Sequence, residues 1–245
     1  MNFKYILGNW INKILLKLIE KSPRSLGFIP NGRFAELDIL RSKEDIKVIF
    51  DVGANIGQTA ISFKKAFPNA VIYSFEPVKK TYNILVKNLS GYSDIHPVHL
   101  ALGSEKGKTI ITLNSDSQIN SLKNPAQKSS LLTEEITIET GTNYCERNQI
   151  TYVDVLKMDT EGFEMKILNG FNKKFLIKNV KFIYCEIGFD KNDPYKTHFS
   201  DIESYLKDLG FITTGFYEPS RWGKSKLKLG FCNALFTNTN KVEIF

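Results

Sequence analysis

Val48-Ile49-Phe50-Asp51-Val52-Gly53-Ala54-Asn55-Ile56-Gly57 runs from an almost unbroken apolar segment into an acidic residue and then two glycines four positions apart. The apolar run 46–51 has the composition of a parallel strand covered on both faces, because such a strand has no solvent side on which to alternate. Beyond it, Ile56, Ala60, Phe63 and Phe67 recur at helical spacing until Pro68 breaks the pattern. A buried strand, a glycine turn and an amphipathic helix make half of a βαβ unit.

The same grammar repeats outward from this point. Residues 70–75 form a second strand ending in Glu76-Pro77, followed by a helix with Val78, Tyr82, Leu85, Val86 and Leu89 inward and Gly91 at its end. Residues 95–102 and 108–113 read as further strands and 137–139 as a short one. Residues 152–158 are again a buried strand, after which Asp159-Thr160-Glu161-Gly162 opens a helix that Gly170 closes. A strand at 180–185 ends in Glu186, Phe199, Ile202, Tyr205, Leu206 and Leu209 build a helix, and strands at 211–216 and 229–236 follow with only a loop between them. Strand–helix alternation predicts a mostly parallel sheet with helices on both faces. The final pair, lacking a crossover, must be antiparallel.

Composition agrees with one large domain carrying an extension. The chain has 245 residues, is 42% hydrophobic and 24% charged, and has no apolar run long enough for a transmembrane helix, so collagen-like, disordered and membrane-spanning classes are excluded. Cys145, Cys185 and Cys232 are odd in number and widely spaced, which fits a reducing, cytoplasmic setting better than a disulfide framework. The net charge of +7 sits in two places: residues 1–33, with six basic side chains against Glu20 alone, and 221–228, with Arg221, Lys224, Lys226 and Lys228. Such patches attract anions or simply keep the chain soluble. Residues 1–45 are read as an extension and 46–245 as the main domain. Within the extension Phe3, Ile6, Leu7, Trp10, Ile11, Ile14, Leu15, Leu18 and Ile19 form one apolar helical stripe. A stripe of this kind can cap the domain's own core, pair two subunits as a homodimer, or rest peripherally on a membrane through residues 1–20. Residues 114–130, polar and aperiodic, read as a loop over the site or an insertion.

In an open parallel sheet the ligand site lies beyond the carboxyl ends of the strands. Four such ends carry acids here: Asp51, Glu76, Asp159 with Glu161, and Glu186. Carboxylates gathered at one edge repel one another unless a ligand, ion or hydrogen bond compensates. Gly53 and Gly57 can supply the sharp turn and close backbone approach that a bound cofactor needs, or make only a tight structural turn, and they do not form GxGxxG. Glu76, closing the second strand, can accept both hydroxyls of a ribose or merely cap the helix beginning near Pro77.

These motifs, together with Phe75-Glu76-Pro77, Ala101-Leu102-Gly103 and above all Leu156-Lys157-Met158-Asp159-Thr160-Glu161-Gly162-Phe163-Glu164, resemble the FkbM family of S-adenosylmethionine-dependent methyltransferases. The similarity runs from about residue 46 to about 190, with the final hairpin compatible. It implies a Rossmann-like class I methyltransferase fold of seven strands and methyl transfer to a hydroxyl, commonly on a sugar or polyketide-type acceptor. By position, Asp51, Gly53, Asn55 and Gly57 would surround the methionine part of S-adenosylmethionine. Glu76 with Pro77 would hold its ribose, Ala101 and Leu102 would border adenine, and Asp159 would stand beside the reacting methyl.

A sugar hydroxyl is a poor nucleophile and needs a base or a metal to take its proton. Asp159, Glu161 and Glu186 are the candidates, with His198 a further one ahead of the helix near residue 200, where it can equally be an ordinary loop histidine. The same carboxylates can hold Mg²⁺, and the spacing does not decide between base and metal. Lys157 is expected to pair with a neighbouring carboxylate. The competing readings are an NAD-dependent oxidoreductase, which predicts GxGxxG and no final hairpin, and a donor- or glycan-binding module without turnover. The partner expected is a small-molecule or glycan acceptor, not nucleic acid: no Asn/Asp-Pro-Pro-Tyr/Phe type motif follows Asp159, and the basic patches lack interleaved aromatics apart from Trp222.

Overall fold

The computed structural model describes residues 35–113, 133–223, 225 and 227–243. The expected amphipathic helix of residues 1–20 and the 114–130 segment lie outside the described residues, as do Lys224 and Lys226 of the basic cluster. The chain begins with α1 (Ala35–Arg41), then β1 (Val48–Val52), α2 (Gln58–Ala66), β2 (Val71–Phe75), α3 (Lys79–Leu89), β3 (Ile95–Val98), β4 (Ala101–Leu102) and β5 (Gly107–Thr112). It continues with β6 (Thr133–Glu139), α4 (Gly141–Arg147), β7 (Val153–Met158), α5 (Glu164–Asn169), α6 (Lys173–Asn179), β8 (Val180–Gly188), α7 (Phe199–Lys207), β9 (Phe211–Trp222) and β10 (Lys228–Asn238).

The main sheet has seven strands in the order β3-β2-β1-β7-β8-β10-β9. All neighbours are parallel except the two pairs made by β10, which runs antiparallel to both β8 and β9. Strand order reverses between β1 and β7, so the cleft for a ligand opens at their carboxyl ends. Alternate side chains of the central strands divide between two cores. Phe50 and Val52, Leu156 and Met158, and Ile183, Cys185 and Ile187 face α5, α6 and α7 through Leu168, Leu176, Ile202 and Leu206. Ile49, Val155, Phe182 and Tyr184 face α1, α2 and α3 through Ile39, Ala60, Phe63, Leu85 and Leu89. Helix α1 thus shares the core of the domain, on the near side of the boundary placed at residue 45, and Tyr217 of β9 donates to Asp38 Oδ2 at 2.6 Å.

Two expectations change. The strand expected over 95–102 is broken at His99-Leu100: β3 stays in the main sheet, where the Glu76 amide donates to the Val98 carbonyl (3.0 Å), and β4 leaves it. β4 pairs in parallel with β6, and β5 pairs antiparallel with β6, making a separate three-stranded sheet. The helix expected from Asp159 starts only at Glu164, because Glu161 (φ 54°) and Gly162 (φ 94°) are left-handed. The hairpin strands also reach further than their apolar cores suggest, since Arg221 and Trp222 end β9 and Lys228 starts β10. β9 is the last strand in the sheet, so Pro219 costs no ladder bond there, and Glu218 takes a positive φ of 51° where the register shifts.

One buried amide ties the helical layer to the hairpin. Asn238, fully buried at the end of β10, donates from Nδ2 to the carbonyls of Leu176 (3.3 Å), Ile177 (2.9 Å) and Val180 (2.7 Å), across the end of α6 and the start of β8. Asn238→Ala is expected to destabilise the fold by about 2–4 kcal/mol, because several buried carbonyls lose their donor at once. Denaturant unfolding of the purified variant measures this, and a loss below about 1 kcal/mol would show that water replaces the amide.

Candidate active site

The turn after β1 is built by hydrogen bonds across the sheet edge. The Gly53 and Ala54 amides both donate to the Phe75 carbonyl (3.1 and 2.9 Å), and the Asp159 amide donates to the Val52 carbonyl (3.0 Å). These bonds bring the ends of β1, β2 and β7 together. Gly53 has φ +79°, and a Cβ there would lie 2.0 Å from the Asp159 carbonyl oxygen, so only glycine allows the two turns to touch. Gly57 has a different task. With φ +97°, its missing Cβ would meet Leu85 Cδ1 at 3.0 Å and Leu89 at 3.1 Å, so it lets α2 start close against α3.

Above these turns lies a cavity of about 910 Å³. Its lining includes Gly53, Asn55, Glu76, Pro77, Leu100, Ala101 and Leu102, together with Asp159, Glu161, Glu186, Tyr195, Lys196, Trp222 and Phe231. Glu76 is only 7% exposed. Its Oε2 accepts from the Asn55 amide (3.1 Å) and its Oε1 from the Val78 amide (2.9 Å). The two expectations for Glu76 are therefore compatible: it caps the entry to α3 while its carboxylate borders the cavity. Burial pushes its pKa up to about 7, against the pull of the two amides.

Asp159, Glu161 and Glu186 converge, with carboxylate oxygens within 4.8 Å of one another. Lys196 is the cation held by two of them: its Nζ donates to Glu161 Oε2 (2.6 Å) and to Glu186 Oε2. Burial pushes the Glu186 pKa up to about 8, and the neighbouring charge of Asp159 adds to the rise while Lys196 opposes it. Glu161 is raised as well, first by burial. Beneath the cluster Lys157 lies 3.1 Å from Asp51 Oδ1 and 3.7 Å from Asp159 Oδ2. Burial works against the Lys157 charge, yet Asp51 and Asp159 outweigh it and hold the ammonium protonated.

Three expected site residues are placed elsewhere. Asp51 is completely buried and faces Lys157 rather than the cavity, so it acts from below the floor. Gly57 packs helices, as described. His198 does not line the cavity. Its Nδ1 accepts from the Ser200 amide (3.2 Å) and lies 2.8 Å from Ser200 Oγ, which makes it the N-cap of α7. Glu164, the last acid of the 159–164 motif, is a structural partner: Oε1 accepts from the Thr160 amide (3.0 Å) and hydroxyl (2.9 Å), and Oε2 accepts from the Thr197 hydroxyl. Sequence reading missed Lys196, Tyr195, Trp222 and Phe231. Only Trp222 carried a local signal, as the aromatic in a basic stretch.

Against known proteins, residues 51–213 match the methyltransferase FkbM domain. The chain belongs to the FkbM methyltransferase family. Methyltransferase 1 of Beauveria bassiana is 26% identical over 207 residues, spanning 76% of this chain and 79% of that protein. The hexuronic acid methyltransferase AglP of Haloferax volcanii is 27% identical over 161 residues, 64% of each chain. Among solved structures, an FkbM methyltransferase from Methylobacillus flagellatus superposes with a TM-score of 0.50 at 13% identity, over 79% of this chain and 44% of that one. As a member of this family the chain is an S-adenosylmethionine-dependent methyltransferase, and the oxidoreductase alternative falls with its predicted all-parallel sheet edge. No helix among the described residues is long and apolar enough to cross a membrane.

Because the β1 and β7 turns interlock at Gly53, Gly53→Ala in this FkbM enzyme is expected to cost at least about 2 kcal/mol, from left-handed strain together with displacement of Asp159. Gly91→Ala, where an added Cβ meets nothing within 4 Å, is expected to be within about 1 kcal/mol of wild type. Thermal unfolding of the two variants side by side reads the difference, and equal stabilities would contradict the interlock.

Proposed function

We propose that this enzyme methylates a hydroxyl of a sugar, using the Gly53–Glu76 side of the cavity for S-adenosylmethionine and the Glu186–Trp222 side for the acceptor. The observation that carries the reading is that one cavity is lined by both a buried carboxylate, Glu186, and a partly exposed indole, Trp222. Trp222 is 38% exposed. A Cβ on Gly230 would lie 2.7 Å from its ring, Phe231 meets it edge-on with centroids 6.3 Å apart, and Lys228 Nζ lies 5.7 Å from its centroid. An indole held this way suits the apolar face of a pyranose ring. The name of AglP, a hexuronic acid methyltransferase, points to the same acceptor class.

The residues present fit the donor. Gly53 and Asn55 leave the backbone open to close approach, and Leu100, Ala101 and Leu102 offer an apolar border for a purine. Glu76, held by two amides, presents a carboxylate to ribose hydroxyls. When bound, S-adenosylmethionine supplies an electrophilic methyl group. On the protein side, alignment of the acceptor oxygen is the main contribution, for which good positioning is worth roughly 7–11 kcal/mol. Asp159 accepts a hydrogen bond from a neighbouring hydroxyl of the sugar and so orients it, and Glu186 takes the proton of the hydroxyl that receives the methyl group. A base with a pKa close to the working pH is well matched to that task.

Glu76 gives donor binding a pH dependence of definite sign. Hydroxyl donors favour its ionised form, and its pKa near 7 means that affinity is lost as pH falls through about 7. Calorimetric titration with S-adenosylhomocysteine is expected to show weaker binding below that point, by up to about tenfold per pH unit. Glu76→Gln should flatten the profile and weaken binding by roughly tenfold or more. For the acceptor side, p-nitrophenyl glucoside and p-nitrophenyl glucuronide serve as probes. Turnover should rise toward about pH 8 and lose that limb in Glu186→Gln, with kcat lower by about 10²–10⁴. Trp222→Ala should raise KM about three- to tenfold with donor affinity unchanged. Failure to methylate either glycoside, with S-adenosylhomocysteine bound normally, would overturn the sugar reading.

A further inference from the structure

We propose that Lys196 is the resident cation of this active site, its ammonium filling the seat among Asp159, Glu161 and Glu186 that a divalent metal would otherwise take. The inference uses the proposed reaction only in regarding the pocket as catalytic. The seat itself is read from geometry, and its test needs no acceptor.

Three carboxylate oxygens within 4.8 Å of one another make an arrangement that needs positive charge at its centre. The cluster offers two ways to supply it, a bound ion or a side chain, and the protein has built in the side chain. Lys196 reaches Glu161 at 2.6 Å and also contacts Glu186. Burial of the ammonium is compensated by these two acids, with Glu186 the larger influence, so that it stays charged. Its third side rests on the face of Phe231, 4.7 Å from the ring centroid, which favours a cation.

The placement is fixed by backbone as well as charge. Gly188 at the end of β8 donates from its amide to the Thr197 carbonyl (2.8 Å), and a Cβ on Gly188 would lie 2.7 Å from Lys196 Cβ. The stem of Lys196 therefore lies against the one residue of β8 that has no side chain to push it away. Thr197 is tied through its hydroxyl to Glu164. Held from both flanks, residue 196 delivers its ammonium between β8 and the β7 turn, and a metal entering that space would have to displace it. Lys196 is thus a positioning residue: it holds Glu161 and Glu186 together and keeps the pocket free of divalent ions.

Mn²⁺ is the probe, followed by water-proton relaxation on the full chain. Wild type should show no saturable site at submillimolar Mn²⁺. Lys196→Met should bind Mn²⁺ at least about tenfold more tightly, since Glu161 and Glu186 are left without their cation beside Asp159, and Lys196→Met/Glu186→Gln should lose that gain. S-adenosylhomocysteine binding reports that each variant is folded, and Lys196→Gln, which keeps a polar stem, replaces Lys196→Met if the latter does not fold. Saturable Mn²⁺ binding at the cluster of the wild type, or a folded Lys196 variant that gains none, overturns the proposal. Loss of S-adenosylhomocysteine binding by the wild type would instead sink the donor-site reading, so the two failures are distinguishable.

Discussion

Asp51 and Lys157 face each other as direct cross-strand partners of β1 and β7, 3.1 Å apart and out of reach of solvent. A one-residue slip between these strands would turn Lys157 to the face that carries Phe50 and Val52, leaving an unpaired ammonium in an apolar layer. The pair therefore locks the register of the two central strands, whatever its net contribution to stability. Everything at the site hangs from that register. It sets Gly53 against the Asp159 carbonyl, and thereby the distance between the turn that follows β1 and the acids that follow β7.

The upper layer of charge is balanced on the lower one. Lys157 neutralises Asp51 and leans toward Asp159, while Lys196 neutralises Glu161 and Glu186, so two buried ammoniums serve four carboxylates. Burial is the chief cause that raises Glu161 and Glu186 above ordinary carboxylates, and the surplus of negative charge adds to it. A site with matched charges would hold its acids ionised and weakly basic. Two acids in excess, in a buried site, keep proton affinity close to neutral pH, the range in which a hydroxyl can be activated.

Much of this was legible in the chain because the signals were local. Apolar runs ending in acids located β1, β2, β7 and β8, and the missing crossover after residue 216 predicted the antiparallel hairpin. What escaped depended on distance in space. Lys196 stands in a stretch of Asp, Asn, Pro and Tyr with no period, and nothing near it in sequence says that Gly188 will leave room for its stem. His198 looked like a base because it lies near a strand end, but Ser200 two residues on makes it a cap. Helices α4 and α6 were overlooked although Thr140 and Asn172 cap them through the amides of Asn143 and Lys174. Each has seven residues, too few for an apolar period to register.

The break at Leu100 has a structural consequence that no periodicity could announce. Had residues 95–102 continued as one edge strand, Ala101 and Leu102 would have extended β3 in the main sheet. By pairing β4 with β6 instead, the chain carries Leu100, Ala101 and Leu102 to the cavity wall beside Glu76. The long hairpin does the corresponding work on the other side. Its 12- and 11-residue strands bring Trp222 and Phe231 to the cavity, beside Lys196. The central strands supply the acids, and these two departures from a plain doubly wound sheet supply the walls. Variation among related enzymes in what they accept is then expected to concentrate in β4–β6 and the β9–β10 tip, where side chains can change without disturbing the register of β1 and β7.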